Sequence, residues 1–220
     1  MFRELVPQEG EILVVKTVDK NRRALYSDAN GFQYPESGSV EAPDWKPTFQ
    51  CGGGLHGLPW CSGDVGMLFK GDDPDTLWCV MRVKVSPENY LFGEGDLRGK
   101  CKFHRAEDIS FGTREEVVAN VVKYAPKDVC VHFAMQTAGD DSTQTAGDKS
   151  TQMAGNRSTQ TAGTGTVQAT RWYDKEWKVV TRVITSAEAN KWYYVENGVW
   201  RLCTKGEIKD AEKRVGDIRE

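Results

Sequence analysis

Long apolar runs are absent from this chain: the longest, residues 12–15 and 77–80, are strand-length. The N-terminal MFRELVPQEG also lacks the apolar core of a secretory signal. These absences argue against a membrane partner and against export, and the expected location is the cytoplasm. An excess of one charge is lacking too. The 29 Lys and Arg face 32 Asp and Glu, spread evenly for a net charge of -3, which leaves no basic footprint for nucleic acid. There is no Walker pattern, no dinucleotide fingerprint and no C-x-x-C knuckle. The six cysteines could form three disulfides by count, but without an export signal reduced thiols are expected. Neither a cofactor nor a metal is assigned. With 220 residues, 39% of them hydrophobic, the chain can bury one sizeable core or two small ones.

What is present is a repeat. Residues 138–169, written in eights, read AGDDSTQT, AGDKSTQM, AGNRSTQT and AGTGTVQA. A fixed period of this kind marks units that stack and bury themselves against their neighbours. In each octad the Ala-Gly pair supplies a tight corner and Ser-Thr-Gln-Thr a short strand with alternating faces. Two octads then make one coil of a flattened β-solenoid, so residues sixteen apart stack about 4.8 Å from each other. With Ser142, Gln144 and Ala146 inward, Thr143 and Thr145 stack on Thr159 and Thr161 as an outward Thr-x-Thr ladder. The opposite face carries Met135, Thr137, Thr151, Met153, Val167 and Ala169. It is more apolar, and Met135, Thr151, Met153 and Val167 are the residues expected to mediate self-association. Inside, Gln144 and Gln160 form an amide ladder that satisfies buried polar groups. The same composition would suit a disordered polar linker, but the period holds through the whole array and its ends are strand-like. Residues 130–137, CVHFAMQT, keep the Gln-Thr ending and form a degenerate first octad.

Before the array, residues 11–18 read as a strand followed by a polar turn at 19–23. Residues 27–45, rich in Gly, Pro, Ser and Asp, read as a long surface excursion. Residues 76–85 form a second strand and residues 99–109 a third with a mostly polar outer face, Lys102 and His104 pointing outward. Thr113 and Glu116 fit a capping box that opens a helix with Val117, Val118, Val121 and Val122 along one stripe. After the array, Asn197-Gly198 is the strongest hairpin signal, joining residues 192–196 to 199–203. The charged tail from Thr204 onward is a solvated helix or frayed. The expected fold is therefore mainly β. It comprises an α+β domain at 1–128, a short β-solenoid of about two coils at 129–170, and a β-hairpin cap with a charged tail at 171–220.

The octads resemble the repeats of bacterial ice-nucleation proteins, whose units read Ala-Gly, two variable residues, then Ser-Thr-x-Thr. TRWYDKEW at 170–177 and KWYYVEN at 191–197 are similar to the short aromatic, Asp-containing segment that closes those proteins. The similarity covers residues 130–200. It implies that Trp172, Tyr173, Asp174, Trp177, Trp192 and Tyr193 cap the open end of the array, and that the pairs Asp148-Lys149 and Asn156-Arg157 belong to assembly corners. The family acts through many stacked coils, whereas this chain has two Thr-x-Thr rungs, so efficient ice nucleation by a monomer is not implied. CGGGLHGLPW at 51–60, LWCVMRV at 77–83 and GKCKFHRAEDISFGTREEV at 99–117 resemble a domain of unknown function upstream of such repeats in bacterial and phage proteins. That resemblance implies no activity.

Chemistry centres on residues 51–61. Gly52, Gly53 and Gly54 permit close approach of a ligand and can cradle a phosphate, and His56 follows them. The arrangement is similar to ADP-ribosyltransferase folds, in which such a His helps to hold NAD, making His56 the one weak catalytic candidate. Cys51, His56 and Cys61 carry zinc-ligand side chains, with a fourth ligand to be found at Cys101 or His104. The plainer assignment is ordinary buried thiols. Since no complete catalytic set is present, the leading reading is a non-enzymatic binding or assembly protein, a homo-oligomer or the partner of another protein. An enzyme or nucleotide-binding domain around 52–56, and a weak water-ordering surface in oligomers, are the alternatives.

Overall fold

A computed structural model describes residues 2–25, 31–68, 75–126, 129–137, 143–154, 158–174 and 176–204. The side chains of Thr137, Thr143 and residues 171–177 lie outside what it describes, as does the charged tail from 205. The chain is mainly β with a single α-helix among the described residues, and it divides into two compact units, Met1–Val131 and His132–Glu220.

The first unit contains β1 (Glu11–Asp19), β2 (Val40–Glu41), β3 (Leu55–Pro59), β4 (Thr76–Lys84), β5 (Tyr90–Phe92), β6 (Cys101–Phe103), β7 (Arg105–Ala106), β8 (Asp108–Gly112) and α1 (Arg114–Tyr124). Six strands form one sheet in the order β5-β6-β3-β1-β4-β8, with every pairing antiparallel. β1 and β4 pair along their whole length, from Glu11↔Lys84 to Asp19↔Thr76. Residues 13–18 are buried on both faces, which explains why they read as a nearly continuous β-branched run rather than an alternating one. Val14, Val18, Cys79, Met81, Val83, Phe103 and Ile109 form the core of one face.

Thr113 opens α1 as expected. Its hydroxyl accepts the Glu116 N–H at 3.2 Å while the Glu116 carboxylate accepts the Thr113 N–H at 2.9 Å. Val117, Val118 and Val121 are buried and Val122 is exposed at the margin of the stripe. The helix also holds the N-terminal segment: buried Asn120 accepts the Leu5 N–H at 2.9 Å and donates to the Leu5 carbonyl at 3.0 Å.

Two expectations are corrected in this unit. The segment expected as a surface excursion at 27–45 places Tyr34, Val40 and Ala42 in the core, because β2 pairs with β7 and turns alternate residues inward. The strand expected at 99–109 is three short strands, and Lys102 is buried instead of facing water. Its ammonium has an internal set of acceptors, Thr48 Oγ1 at 3.4 Å and the carbonyls of Gln50 and Gly52 at 2.9 and 3.2 Å. Such a set is what allows a lysine head to leave solvent.

The second unit contains β9 (Met135–Thr137), β10 (Thr143–Ala146), β11 (Thr151–Ala154), β12 (Thr159–Ala162), β13 (Val167–Asp174), β14 (Glu176–Val183), β15 (Tyr193–Glu196) and β16 (Val199–Leu202). They form two four-stranded sheets, β14-β13-β11-β9 and β10-β12-β15-β16. Octad strands pair in parallel with residues sixteen apart opposite each other: Thr143↔Thr159, Thr145↔Thr161, Met135↔Thr151 and Thr151↔Val167. Antiparallel hairpins then extend both sheets. β14 lies on β13, and β15, joined to β16 by Asn197-Gly198 at φ 50 and 76, lies on β12. Positive φ at both turn residues is the signature that the Asn-Gly pair predicts.

The interior between these strands is polar and fully used. Gln144, Gln152, Gln160 and Gln168 are buried. Gln160 Nε2 donates to Gln144 Oε1 at 2.7 Å, and Gln168 Nε2 to Gln152 Oε1 at 2.7 Å. The amides also reach the other sheet, since Gln136, Gln144 and Gln152 donate to the carbonyls of Thr145, Met153 and Thr161, each nine residues on, at 2.6, 3.1 and 3.1 Å. The corners obey the same period: Phe133, Lys149 and Gly165 all adopt left-handed φ, at 60, 52 and 74. In the octads whose corners are described, the tight corner therefore falls on the fourth residue and not on the Ala-Gly pair or its equivalent. Gly163 serves close approach instead, because a Cβ there would stand 1.9 Å from Asp148 Oδ1, which accepts the Thr164 N–H at 2.6 Å.

Candidate functional site: a donor-rich cleft and an exposed sheet face

In the first unit a cleft of about 950 Å³ is walled by residues 51–56 on one side and by Lys16, Lys100, Phe32, Tyr34, Pro43 and Met67 on others. Gly52, Gly53, Gly54 and His56, the ligand-binding candidates of the sequence, all line it. The glycines are required by geometry. Their φ values are 80, 60 and 150, and a Cβ on Gly54 would meet Lys102 Cγ at 2.8 Å and the Trp45 ring at 2.9 Å. The loop's carbonyls are taken by the protein: Gly52 O by the Lys102 ammonium, Gly53 O by the Lys46 N–H at 2.9 Å, and the Gly54 backbone by the His56 ring. None of the three glycine amides donates to a protein acceptor among the described residues.

His56 is held neutral. Burial first, then the nearby charges of Lys16, Lys100 and Lys102, push its pKa down to about 4, against which the hydrogen bond to Gly54 works. That bond raises the pKa, so the ring is its donor. Nε2 is sealed from solvent without a partner among the described residues. Lys16, on β1, is 7% exposed, and burial followed by the Lys100 charge lowers its pKa. No hydrogen bond or ion pair reaches its side chain among the described residues.

The zinc and nucleophile options do not assemble. No group of three His, Cys, Asp or Glu side chains converges anywhere among the described residues. All six cysteines are free thiols. Burial pushes Cys61 and Cys101 up to about 12, so both remain protonated at neutral pH, and Cys101 Sγ donates to the Gly57 carbonyl at 3.3 Å. Cys51 is exposed, with the Lys100 ammonium 2.6 Å from its sulfur. His104 stacks on Trp45 and pairs with Glu41 at 3.1 Å, away from the other proposed ligands.

In the second unit, Thr145 and Thr159 are half-buried and Thr161 is 7% exposed, where the chain entering β15 runs beside it and Asn190 donates its N–H to the Ala162 carbonyl. Of the opposite face, Met135 is 74%, Met153 48% and Val167 40% exposed, Thr151 is half-buried and Ala169 is buried. Pairing of Val167 with Val183 and of Arg171 with Val179 adds β14 to this face, with Val183 61% and Val179 65% exposed. Of the cap residues, Tyr193 is buried and Trp192 half-buried, whereas the side chains of Trp172, Tyr173, Asp174 and Trp177 lie outside those described.

Sequence reasoning missed Arg182. It donates from Nε and Nη2 to Gln168 Oε1 at 2.9 and 2.7 Å and so ends the amide ladder. Its guanidinium lies 3.6 Å from the Tyr193 ring centroid and 4.5 Å from that of Trp200. Burial lowers its pKa, with Tyr193 and Glu188 opposing. The available signal was an arginine on the strand after the array, among aromatics that needed a polar partner.

Comparison of the chain with family models, with curated proteins and with solved structures gives no match. No helix among the described residues is long and apolar enough to cross a membrane.

Proposed function

We propose that this protein is a non-enzymatic assembly protein in which residues 130–170 form a miniature β-solenoid of about two coils, closed by the two hairpins, through which copies associate. The carrying observation is the row that the register sets across β9, β11, β13 and β14, where exposed Met135, Val167 and Val183 flank half-buried Thr151, with exposed Met153 in the adjacent row. Four strands at about 4.8 Å spacing make this row roughly 14 Å wide, and contiguous exposed apolar side chains of this kind mark interaction surfaces. β9 and β10 each pair on one side only among the described residues, which adds unpaired backbone to the same unit. The resemblance of the octads to ice-nucleation repeats supports assembly, while the enclosure of Thr161 weighs against a water-ordering role for the Thr ladder. The first unit is then the domain that the scaffold joins or presents.

Sedimentation velocity across a wide concentration series tests the proposal. Concentration-dependent oligomers that revert to monomer in Met153→Asp are expected. A monomer at every concentration removes the reading.

A further inference from the structure

We propose that the cleft of the first unit binds a small phosphorylated compound, whose phosphate meets Lys16, Lys100 and the free amides of 52–54 and whose body rests on Phe32 and Tyr34. This inference is independent of assembly by the second unit.

Lys16 has no counter-charge paired with it among the described residues. Lys16 is more than nine-tenths buried at the cleft wall and has no partner among the described residues. A buried ammonium without acceptors is costly, and proteins that keep one pair it or use it. Lys102 shows how this chain satisfies a structural lysine, with three oxygen acceptors and the Trp45 ring at 5.8 Å. Lys16 has nothing comparable.

The cleft's carboxylates do not supply the charge. Asp64 Oδ1 accepts the Gly66 N–H at 3.0 Å, and the Asp44 charge acts on Lys102. The groups that act electrostatically on Lys16 are the Cys79 and Cys101 thiols and the second cation, Lys100, and those that act on His56 are three lysines. Two amines, Lys16 from the cleft wall and Lys100, which lies 2.6 Å from Cys51 Sγ, together with three glycine amides that have no protein acceptor among the described residues form a donor-rich site. A phosphate dianion matches that inventory in charge and in oxygen count. The edge-to-face pair of Phe32 and Tyr34, with centroids 4.9 Å apart, offers an apolar wall in a cleft of mononucleotide size.

Titration calorimetry on the full chain with adenosine 5′-monophosphate, inorganic phosphate and adenosine tests the site. Binding of the monophosphate that weakens with salt, and about tenfold or more weaker binding of adenosine, is expected. Inorganic phosphate competing for the site would show that the anion alone suffices and would support the proposal equally. Lys16→Met should lower monophosphate affinity by about tenfold or more. It should also raise the melting temperature of the free protein, because a buried amine without a partner is replaced by a side chain of similar length. A purely structural lysine would give the opposite sign. If Lys16→Met does not fold, Lys100→Gln carries the same affinity test. Unchanged affinity in the folded variant, adenosine binding as well as its monophosphate, or binding of neither phosphate overturns the proposal.

Discussion

Gln152 offers the sharpest test of how the octad unit is held together. It is 0% exposed, accepts from Gln168 Nε2 at 2.7 Å, and donates to Gln136 Oε1 at 3.3 Å and to the Thr161 carbonyl at 3.1 Å. One amide thus links three stacked strands of one sheet and one strand of the other. Gln152→Leu keeps the volume and removes all three bonds. At about 1 kcal/mol net per bond, with the Gln168 amide left as a buried orphan donor, the loss is about 3 kcal/mol. Hydrogen exchange localises it: amides of 143–154 and 158–170 should lose about a hundredfold in protection, while those of β1 and β4 remain unchanged. The double variant Gln152→Leu/Gln168→Leu should cost less than the sum of the single changes, because an apolar pair leaves no stranded partner between them. A single-variant cost below about 0.5 kcal/mol, typical of a surface substitution, or strict additivity would refute the idea that the ladder carries the stability of this unit.

Further outcomes are expected elsewhere. His56 is neutral in the folded chain with a pKa of about 4 against an ordinary 6.5, so the unfolded chain binds the extra proton between these values. Its contribution is complete above about pH 6.5 and is lost as the pH falls toward 4, about 2 kcal/mol after allowing for the part of the ring that water still screens. Denaturant midpoints measured from pH 7 to 4 should show this slope, and His56→Gln should flatten it. Thr113→Ala removes the hydroxyl half of the capping box and should cost about 1 kcal/mol in chemical denaturation. Arg182→Met takes both donors from Gln168 and should destabilise the unit by about 2 kcal/mol, with Arg182→Lys restoring only part because one ammonium cannot reproduce the paired contact. Droplet freezing should not differ from buffer for the unassembled chain, and earlier freezing would reinstate the Thr ladder as a functional surface.

Several features could be read without coordinates because they depend on neighbours along the chain or on strict periodicity. The capping box at Thr113 and Glu116, the Asn197-Gly198 hairpin, strands β1 and β4 and the sixteen-residue register of the octads are all of this kind. So was the inward position of the glutamines, since a period-two strand that turns Thr outward must turn Gln inward. The corners were harder to place. Ala-Gly looked like the turn because glycine tolerates positive φ, yet Lys149 and Phe133 adopt it, and Gly163 is small to admit the Asp148 carboxylate. That constraint comes from the turn at Asp148, in the preceding coil position, and leaves no local trace.

The sequence by itself determined the repeat, its period and the inward position of its glutamines. Tertiary structure alone decided which charged groups find partners. Lys16 and Lys102 sit on strands with similar apolar neighbours, and nothing in their local sequence tells them apart. The fold brings the 48–52 loop over one and leaves the other bare at the wall of a cleft. In the same way Arg182 becomes the end of the amide ladder only when β14 aligns it with Gln168. The electrostatic role of a side chain is set by what surrounds it in three dimensions, and those surroundings are assembled from segments that the chain order keeps apart.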